Sequence, residues 1–481
     1  AGNVVQGTGG STSVSTVNVD GGTMTVGGDL IVDTLRVALN GRNATVTVAG
    51  STAQVGDAAY ATTFFVGRRT VDTGTTFQGT LDLSGVTDFT AYLDEFGVGT
   101  IPGSVGSLQG QPRGVVILAT NNVIDARDIR IGDSPSVGLG GVNNRIVLGT
   151  ANTVTADTLT VGGNKSGSSA DGGSLEFGTG GGTLDLGTPS DPVDVFVGRQ
   201  TVGTGGGAAG HLNMAGGTFN AYIDQLVIGT KPDNAAGTTK GVVTFEAGTV
   251  HADSVLLGER TSDASGGIIQ GTFNFSGGTL YAGSILKHAY NGNDSRDVAD
   301  FNWTGGTLHV GTFGKDDPDP RWRFNLDQDG GILAPDSLTP GNPIGTTTIW
   351  GDYNQNAGEL EIQIAGAGTA GVDYDLLVVE GNAPGGDLRV ELLGFTPDLG
   401  GSFDVLEVAG GISPGDWNII GDQPGAHTWT QVLLDRPGGG NILRLTAVPE
   451  PSGLALAGLA LGGLGLIGLR RRKALKPQSR L

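Results

Sequence analysis

Cysteine is absent from the 481 residues. The chain therefore has no disulfide framework, thiolate nucleophile, iron–sulfur cluster or Cys-ligated zinc site. Long helical patterns are missing before the final stretch. Hydrophobic residues make up only 37 %, too few for a thick globular core but enough for a thin stack of strands. Basic residues are scarce: 27 Lys and Arg stand against 48 Asp and Glu, a net charge of −21. Six of those cations (Arg470, Arg471, Arg472, Lys473, Lys476 and Arg480) follow Ser452 with no acid among them, so the remainder carries 21 − 48 = −27. Such a body repels nucleic acid and anionic lipid. It attracts cations or basic surfaces, or simply stays soluble. The first residues, Ala1-Gly2-Asn3-Val4-Val5, hold neither an initiating Met nor a signal peptide. A removed leader explains this, and a shortened chain would look the same.

Glycine is what the chain has in excess, at 89 residues, more than twice the usual ~7 %. No collagen-like triplet accompanies it, so it belongs to turns. The turns recur. Val243–Gly258 reads VTFEAGTVHADSVLLG, an alternating strand, a Gly-Thr turn, a second alternating strand, a corner and a third apolar run. The outline returns at Leu212–Gly229, Phe273–His288, Phe301–Phe313 and Val17–Asp33. Taking the residue that opens the second strand as an anchor gives Thr23, Thr52, Thr87, Asn122, Thr153, Thr183, Thr218, Thr249, Thr279 and Thr307. Their spacing stays near thirty, the mark of a solenoid whose units bury an apolar face only against their neighbours. Within a unit the apolar period is two, so the elements are strands. A longer duplication lies on top: Phe65-Val66-Gly67-Arg68 matches Phe196-Val197-Gly198-Arg199, and Ala91-Tyr92-Leu93-Asp94 matches Ala221-Tyr222-Ile223-Asp224.

The predicted fold is all-β: a parallel β-helix of about ten coils over residues 1–320, a smaller β capping module over 321–447, and a C-terminal transmembrane helix within 448–481. Inward positions carry Val, Ile, Leu and Phe, and outward ones Thr, Asn and Asp. An antiparallel sandwich array remains the alternative, since alternation does not fix strand direction. Motifs in the capping region are Leu333-Ala334-Pro335, Pro340-Gly341-Asn342-Pro343-Ile344-Gly345, Gly351-Asp352-Tyr353-Asn354-Gln355, Gly358-Glu359-Leu360-Glu361-Ile362 and Asp373-Tyr374-Asp375-Leu376-Leu377-Val378-Val379. The region resembles the module that follows β-helical passengers in autotransporter-like bacterial surface proteins, which implies a cap over an otherwise open strand edge.

No constellation of catalytic residues stands out. His251 and His309 follow Thr249 and Thr307 by two residues and share an outward ladder with Asn220 and Tyr281 in equivalent places. Two coils apart, they are too distant to share a metal. The remaining histidines, His211, His288 and His427, form no set. Asp316, Asp317, Asp319, Asp327 and Asp329 supply oxygen ligands but match no calcium-loop spacing. Asp125 and Asp157, near equivalent corners, have the separation of a glycosidase pair, as any two acids on adjacent coils would. Asp373 and Asp375 would point to one face of a strand. Arg68, Arg69 and Arg199 stand beside inserted loops, where they either grip an acidic sugar or brace the loops. Gly178–Gly182 lacks the Lys-Ser/Thr and helix of a phosphate loop and reads as a turn.

The tail is more specific. Pro449-Glu450-Pro451 precedes Gly453–Leu469, seventeen residues without a charge, and then Arg470-Arg471-Arg472-Lys473. That length is near the minimum for a membrane-spanning helix, ~17–25 residues, and the basic cluster holds the cytoplasmic side. The order of motif, hydrophobic helix and arginine cluster resembles the PEP-CTERM sorting signal. The resemblance implies recognition by an exosortase, a membrane transpeptidase-like enzyme of Gram-negative bacteria, and cleavage near Pro449-Glu450-Pro451. The chain is then transiently anchored and ends at the cell surface or outside the cell. The alternative is a permanent anchor. The expectation is an exported structural or interaction protein with no catalytic residues, metal or cofactor, whose partners are the exosortase, the membrane before processing, and exopolysaccharide or other surface proteins. A polysaccharide-active β-helix enzyme is the alternative.

Overall fold

The computed structural model describes residues 4–5, 16–58, 62–71, 74–102, 111–135, 143–166, 172–201, 207–231, 237–260, 267–287, 297–317, 322–338, 342–412, 416–423 and 427–449. It is a parallel β-solenoid. Each coil contributes strands to three ladders. The first face is built from strands such as Phe77–Asp82, Pro112–Ile117, Thr238–Phe245 and Ile268–Phe275. The second takes the opening halves of Asp88–Thr100, Asn121–Ser134, Ala151–Asn164, Thr218–Lys231 and Thr249–Arg260, and the third takes their closing halves. Pairing between coils is parallel, as in Val243↔Phe273, Val250↔Leu280 and Ile131↔Val161. The antiparallel array is thereby excluded.

Alternation puts every second side chain inside, and the inside is continuous. One apolar cluster extends from Val26 to Leu445. Like residues repeat at like positions, so aromatic rings stack coil on coil: Phe64 lies 4.7 Å from Phe96, and Phe245 lies 5.4 Å from Phe275. Such pairs add ~0.5–1.5 kcal/mol beyond the area they bury.

The anchor residues are only partly in step. Thr249, Thr279 and Thr307 are register partners, as are Thr183 and Thr218. Thr52, however, pairs with Asp88 rather than Thr87, and Ala151 rather than Thr153 continues the row from Asn121. Thr23 pairs with Thr45 on the first face. One-residue slips of this kind move a side chain to the other surface. Asn122 is the plainest case. It was assigned outward with the Thr and Asn rows, yet it is buried beside Asn152. There its amide closes the preceding corner with Ala119 at both ends, and its Nδ2 donates to Asn152 Oδ1 at 2.8 Å.

Position 321 is not a break in the ladders. Leu326–Leu333 pairs in parallel with Thr307–Phe313 at Thr307↔Ile332, and Thr346–Ile349 pairs with the same strand at Phe313↔Ile349. The described residues from 322 to 447 are therefore built as more coils of the same solenoid, and among their strands only the last two turn antiparallel. Among the described residues no helix is long and apolar enough to cross a membrane; the hydrophobic segment 453–469 lies outside them.

A glycine column fixes how closely coils approach. On the third face, Gly67 and Gly198 share φ near +70° with their register equivalents Gly99, Gly132, Gly162, Gly229 and Gly258. The backbone there turns against the first-face strand of a neighbouring coil. A Cβ on Gly67 would stand 2.2 Å from the Arg113 carbonyl oxygen, and one on Gly198 2.3 Å from that of Lys240. Ala38, which occupies the Gly67 position one coil earlier, bears φ +57°. Gly67→Ala is expected to lower unfolding free energy by about 3 kcal/mol or more, from left-handed strain plus backbone overlap. Gly74→Ala, at φ +66° in open space, should cost only about 1–2 kcal/mol. Ala38→Gly should be neutral or stabilising. Urea titration of the three variants checks the order.

Candidate functional site

The solenoid ends in a hairpin. Ser402–Val408 is the last parallel strand of the third face, and its free edge is covered by Asn441–Pro449, running antiparallel. His427–Asp435 then covers Asn441–Pro449. Uncovered edges recruit other chains, so this hairpin is the cap, shorter than the module foreseen. Ion pairs hold it down. Arg444 Nε and Nη2 donate to the two carboxylate oxygens of Asp404 at 2.6 and 2.8 Å, and Arg436 bridges Glu380 at 2.6 Å and Glu407 at 3.4 Å. Trp429 packs edge-on to Phe403, with centroids 5.9 Å apart, and its indole N–H donates to the Asp422 carbonyl.

Pro449 is the final residue of that closing strand. It is exposed and opposite His427, while Ala447, two residues before it, is fully buried. Pro449, the first residue of the sorting motif, thus belongs to a packed strand. Of the remaining tail residues singled out by sequence, Glu450, Pro451, Gly453, Leu469, Arg470, Arg471, Arg472 and Lys473 lie outside the described residues.

The other candidates separate. His251, Tyr281 and His309 do share the outer second face, but the residue opposite His251 is Tyr222, not Asn220. The four rings form a stack with centroid spacings of 4.9, 4.6 and 4.3 Å and nearly parallel planes. Burial pulls both histidines below their ordinary pKa, and the Asp336 carboxylate, 3.3 Å from His309 Nδ1, opposes this at His309. Sequence spacing alone found three of the four rings.

The carboxylates are scattered, and Asp316 is exposed. Asp327 and Asp329 accept from Asn354 and Asn356, Asp317 pairs with Lys315, and Asp319 lies outside the described residues. Among the described residues no three His, Asp or Glu side chains are grouped to hold a metal ion. Asp125 faces Thr155 in register, so Asp157 is not its ladder partner. Arg69 is fully buried and donates to the Thr75 carbonyl, bracing the loop it precedes. Gly181 N–H donates to the Gly178 carbonyl at 2.9 Å, making the glycine run a turn.

Asp373 and Asp375 do not share a face. Asp373 accepts from the Thr369 N–H across a turn, whereas Asp375 is fully buried and accepts from the N–H groups of Gly345 and Gln363 at 2.9 and 2.8 Å. Burial pushes Asp375 up to about 8 from an ordinary 3.8, against those two hydrogen bonds. The folded chain thus keeps a proton that the unfolded chain releases at lower pH. The stability this group contributes is full below the unfolded value and is lost as pH rises to about 8. Melting of wild type and Asp375→Asn from pH 4 to pH 8 checks it. The stability difference, wild type minus variant, should shrink steadily with rising pH, and a widening difference would contradict the assignment.

No curated protein matches the chain. Residues 447–473 match the PEP-CTERM protein-sorting motif. The match begins at Ala447, inside the closing strand, so three of its residues are already part of the folded body. The protein is a parallel β-solenoid that carries a PEP-CTERM protein-sorting motif at residues 447–473.

Proposed function

We infer that the chain is an exported surface protein with a structural or interaction role, delivered by an exosortase-type system that removes the tail near Pro449-Glu450-Pro451. The observation that carries the reading is the PEP-CTERM match itself, placed where the solenoid's last strand ends. Export and exosortase sorting follow from the motif. The rest is our reading of the body. A stack whose interior is one apolar cluster, whose outer polar groups bond between coils in rows such as Asn220 to Asp185, and whose charge without the six tail cations, 21 − 48 = −27, keeps it soluble suits a rod that presents surface rather than one that turns over substrate. In this reading, Gly453–Leu469 holds the chain in the membrane until cleavage, and Arg470-Arg471-Arg472-Lys473 stays on the cytoplasmic side.

Intact mass of the protein recovered from a host with a matching exosortase tests the reading. Wild type should lose a C-terminal piece beginning near Glu450, and replacement of Pro449 and Pro451 together with alanine should leave most molecules full length. A full-length wild type would overturn processing. The solenoid should melt alike in both, because Pro449 has no backbone N–H to give the closing strand.

A further inference from the structure

The duplicated Val-Gly-Arg segments lie on the outer third face, and register shows what stands between them. Going coil by coil, the outward pairs are Phe65 and Arg68, Gly97 and Thr100, Arg130 and Asp133, Thr160 and Gly163, then Phe196 and Arg199. A cation thus recurs on every second coil, with Gly and Thr between, so the face is notched. Arg68 lies flat on Phe65 with its guanidinium carbon 3.5 Å from the ring centroid, and Arg199 repeats this on Phe196 at 3.7 Å.

The first notch encloses about 140 Å³ and is lined by Arg68, Glu95, Thr100, Arg130 and Asp133 among others. Its walls are ion pairs: Arg68 to Glu95 at 3.2 Å, and Arg130 to Asp128 and, at 3.7 Å, to Asp133. Its floor is Thr100, only 3 % exposed, whose hydroxyl has no hydrogen-bond partner among the described residues. A buried hydroxyl without a partner costs ~1–3 kcal/mol and calls for a polar group from outside. Donors and acceptors side by side suit a polyhydroxylated ligand. Gly97 keeps the notch open, because a Cβ there would stand 2.7 Å from the Phe65 ring. Two coils beyond Arg130, at about 10 Å from the strand spacing, Arg199 is half-buried and makes no ion pair or hydrogen bond among the described residues. The charges of Asp133, Asp128 and Asp194 reach it, but its fork has no direct partner among the described residues, and a stacked guanidinium with an open fork is a carboxylate receptor. The coil rise, about 4.8 Å, is close to the advance of one pyranose along an extended glycan.

We propose that this face binds an acidic glycan running along the solenoid axis, with a sugar residue seated in the notch over Thr100 and a uronate carboxylate on Arg199. The ligand class is a polyuronate, bound without bond cleavage. The site belongs to the body and is independent of whether the tail is processed.

Calorimetric titration of the full chain with a hexamer of galacturonate, at about 0.15 M salt, where the long-range repulsion of the acidic body is screened, tests the proposal. Wild type should bind the hexamer at least tenfold more tightly than a neutral glucose hexamer. Arg199→Gln should weaken binding by about ten- to a hundredfold, and Thr100→Val by about three- to tenfold. Thr100→Val should leave the melting temperature unchanged or raised, because the hydroxyl it removes is unpaired. Arg389→Gln, which breaks the pair with Glu359 on another part of the solenoid, should bind as wild type does. Absence of binding by wild type, equal binding of the neutral hexamer, or full affinity in Arg199→Gln would each overturn the proposal. If Arg199→Gln does not fold, Thr100→Val decides, and undiminished affinity there removes the notch from the account.

Discussion

Everything in this molecule depends on the lateral stacking of one coil on the next in parallel register. No coil has a core of its own. Its inward Val, Ile, Leu and Phe leave water against the same residues of the coils above and below, and its strands find their ladder partners there. Stacking also forces a repeat of backbone conformation. Where the third-face strand turns against its neighbour, adjacent backbones come too near for a Cβ, and the chain answers with glycine at coil after coil. Asn144 shows the constraint by exception. On the first-face row where Gly114 and Gly173 flank it, this fully buried side chain fills the space and bonds to the Gly114 N–H and the Gly172 carbonyl.

The architecture was legible because its causes are periodic. A two-residue apolar period within a thirty-residue repeat specifies strands that stack, and the turn glycines mark the corners. Register was less legible. Thr249, Thr279 and Thr307, 30 and 28 residues apart, are in step because each opens its strand directly after a turn glycine, whereas differing turns elsewhere hide a slip of one or two residues. Asn122 was misplaced outward because polarity is a poor guide where a corner must have its own hydrogen bonds closed. The boundary expected at residue 321 reflects a change in sequence spacing, which does not break the ladders. Tyr222 escaped notice for the same reason: its coil reaches the ring stack two residues later than the anchor implied.

The interior and the exterior of such a rod answer to different demands. Inside, substitution is limited by the fit of repeated rings and methyls. Outside, each position recurs as a row about 4.8 Å apart, so a short sequence change becomes a surface with a set spacing. Ladders such as Asn220 to Asp185 and Asn302 to Asn274 satisfy polar groups between coils. The third-face row from Arg68 to Arg199 departs from that economy, with a buried hydroxyl lacking a partner and a guanidinium set on a phenyl ring. At the far end, the closing hairpin stops the ladder and leads straight into the sorting segment, so folding of the body and presentation of the motif share one strand.

Cysteine-free sequence permits a direct test of the stacking. Thr244 and Asn274 are opposite one another on adjacent first-face strands, whereas Thr272 is opposite Val242. Adjacent strands bring opposite Cα atoms within the ~4.4–6.8 Å that a disulfide spans, and a two-residue offset does not. The double variant Thr244→Cys with Asn274→Cys should oxidise nearly completely within the monomer, and Thr244→Cys with Thr272→Cys should stay reduced under the same conditions. Equal cross-linking of both pairs, or cross-linking of the offset pair alone, would contradict the register on which the account rests.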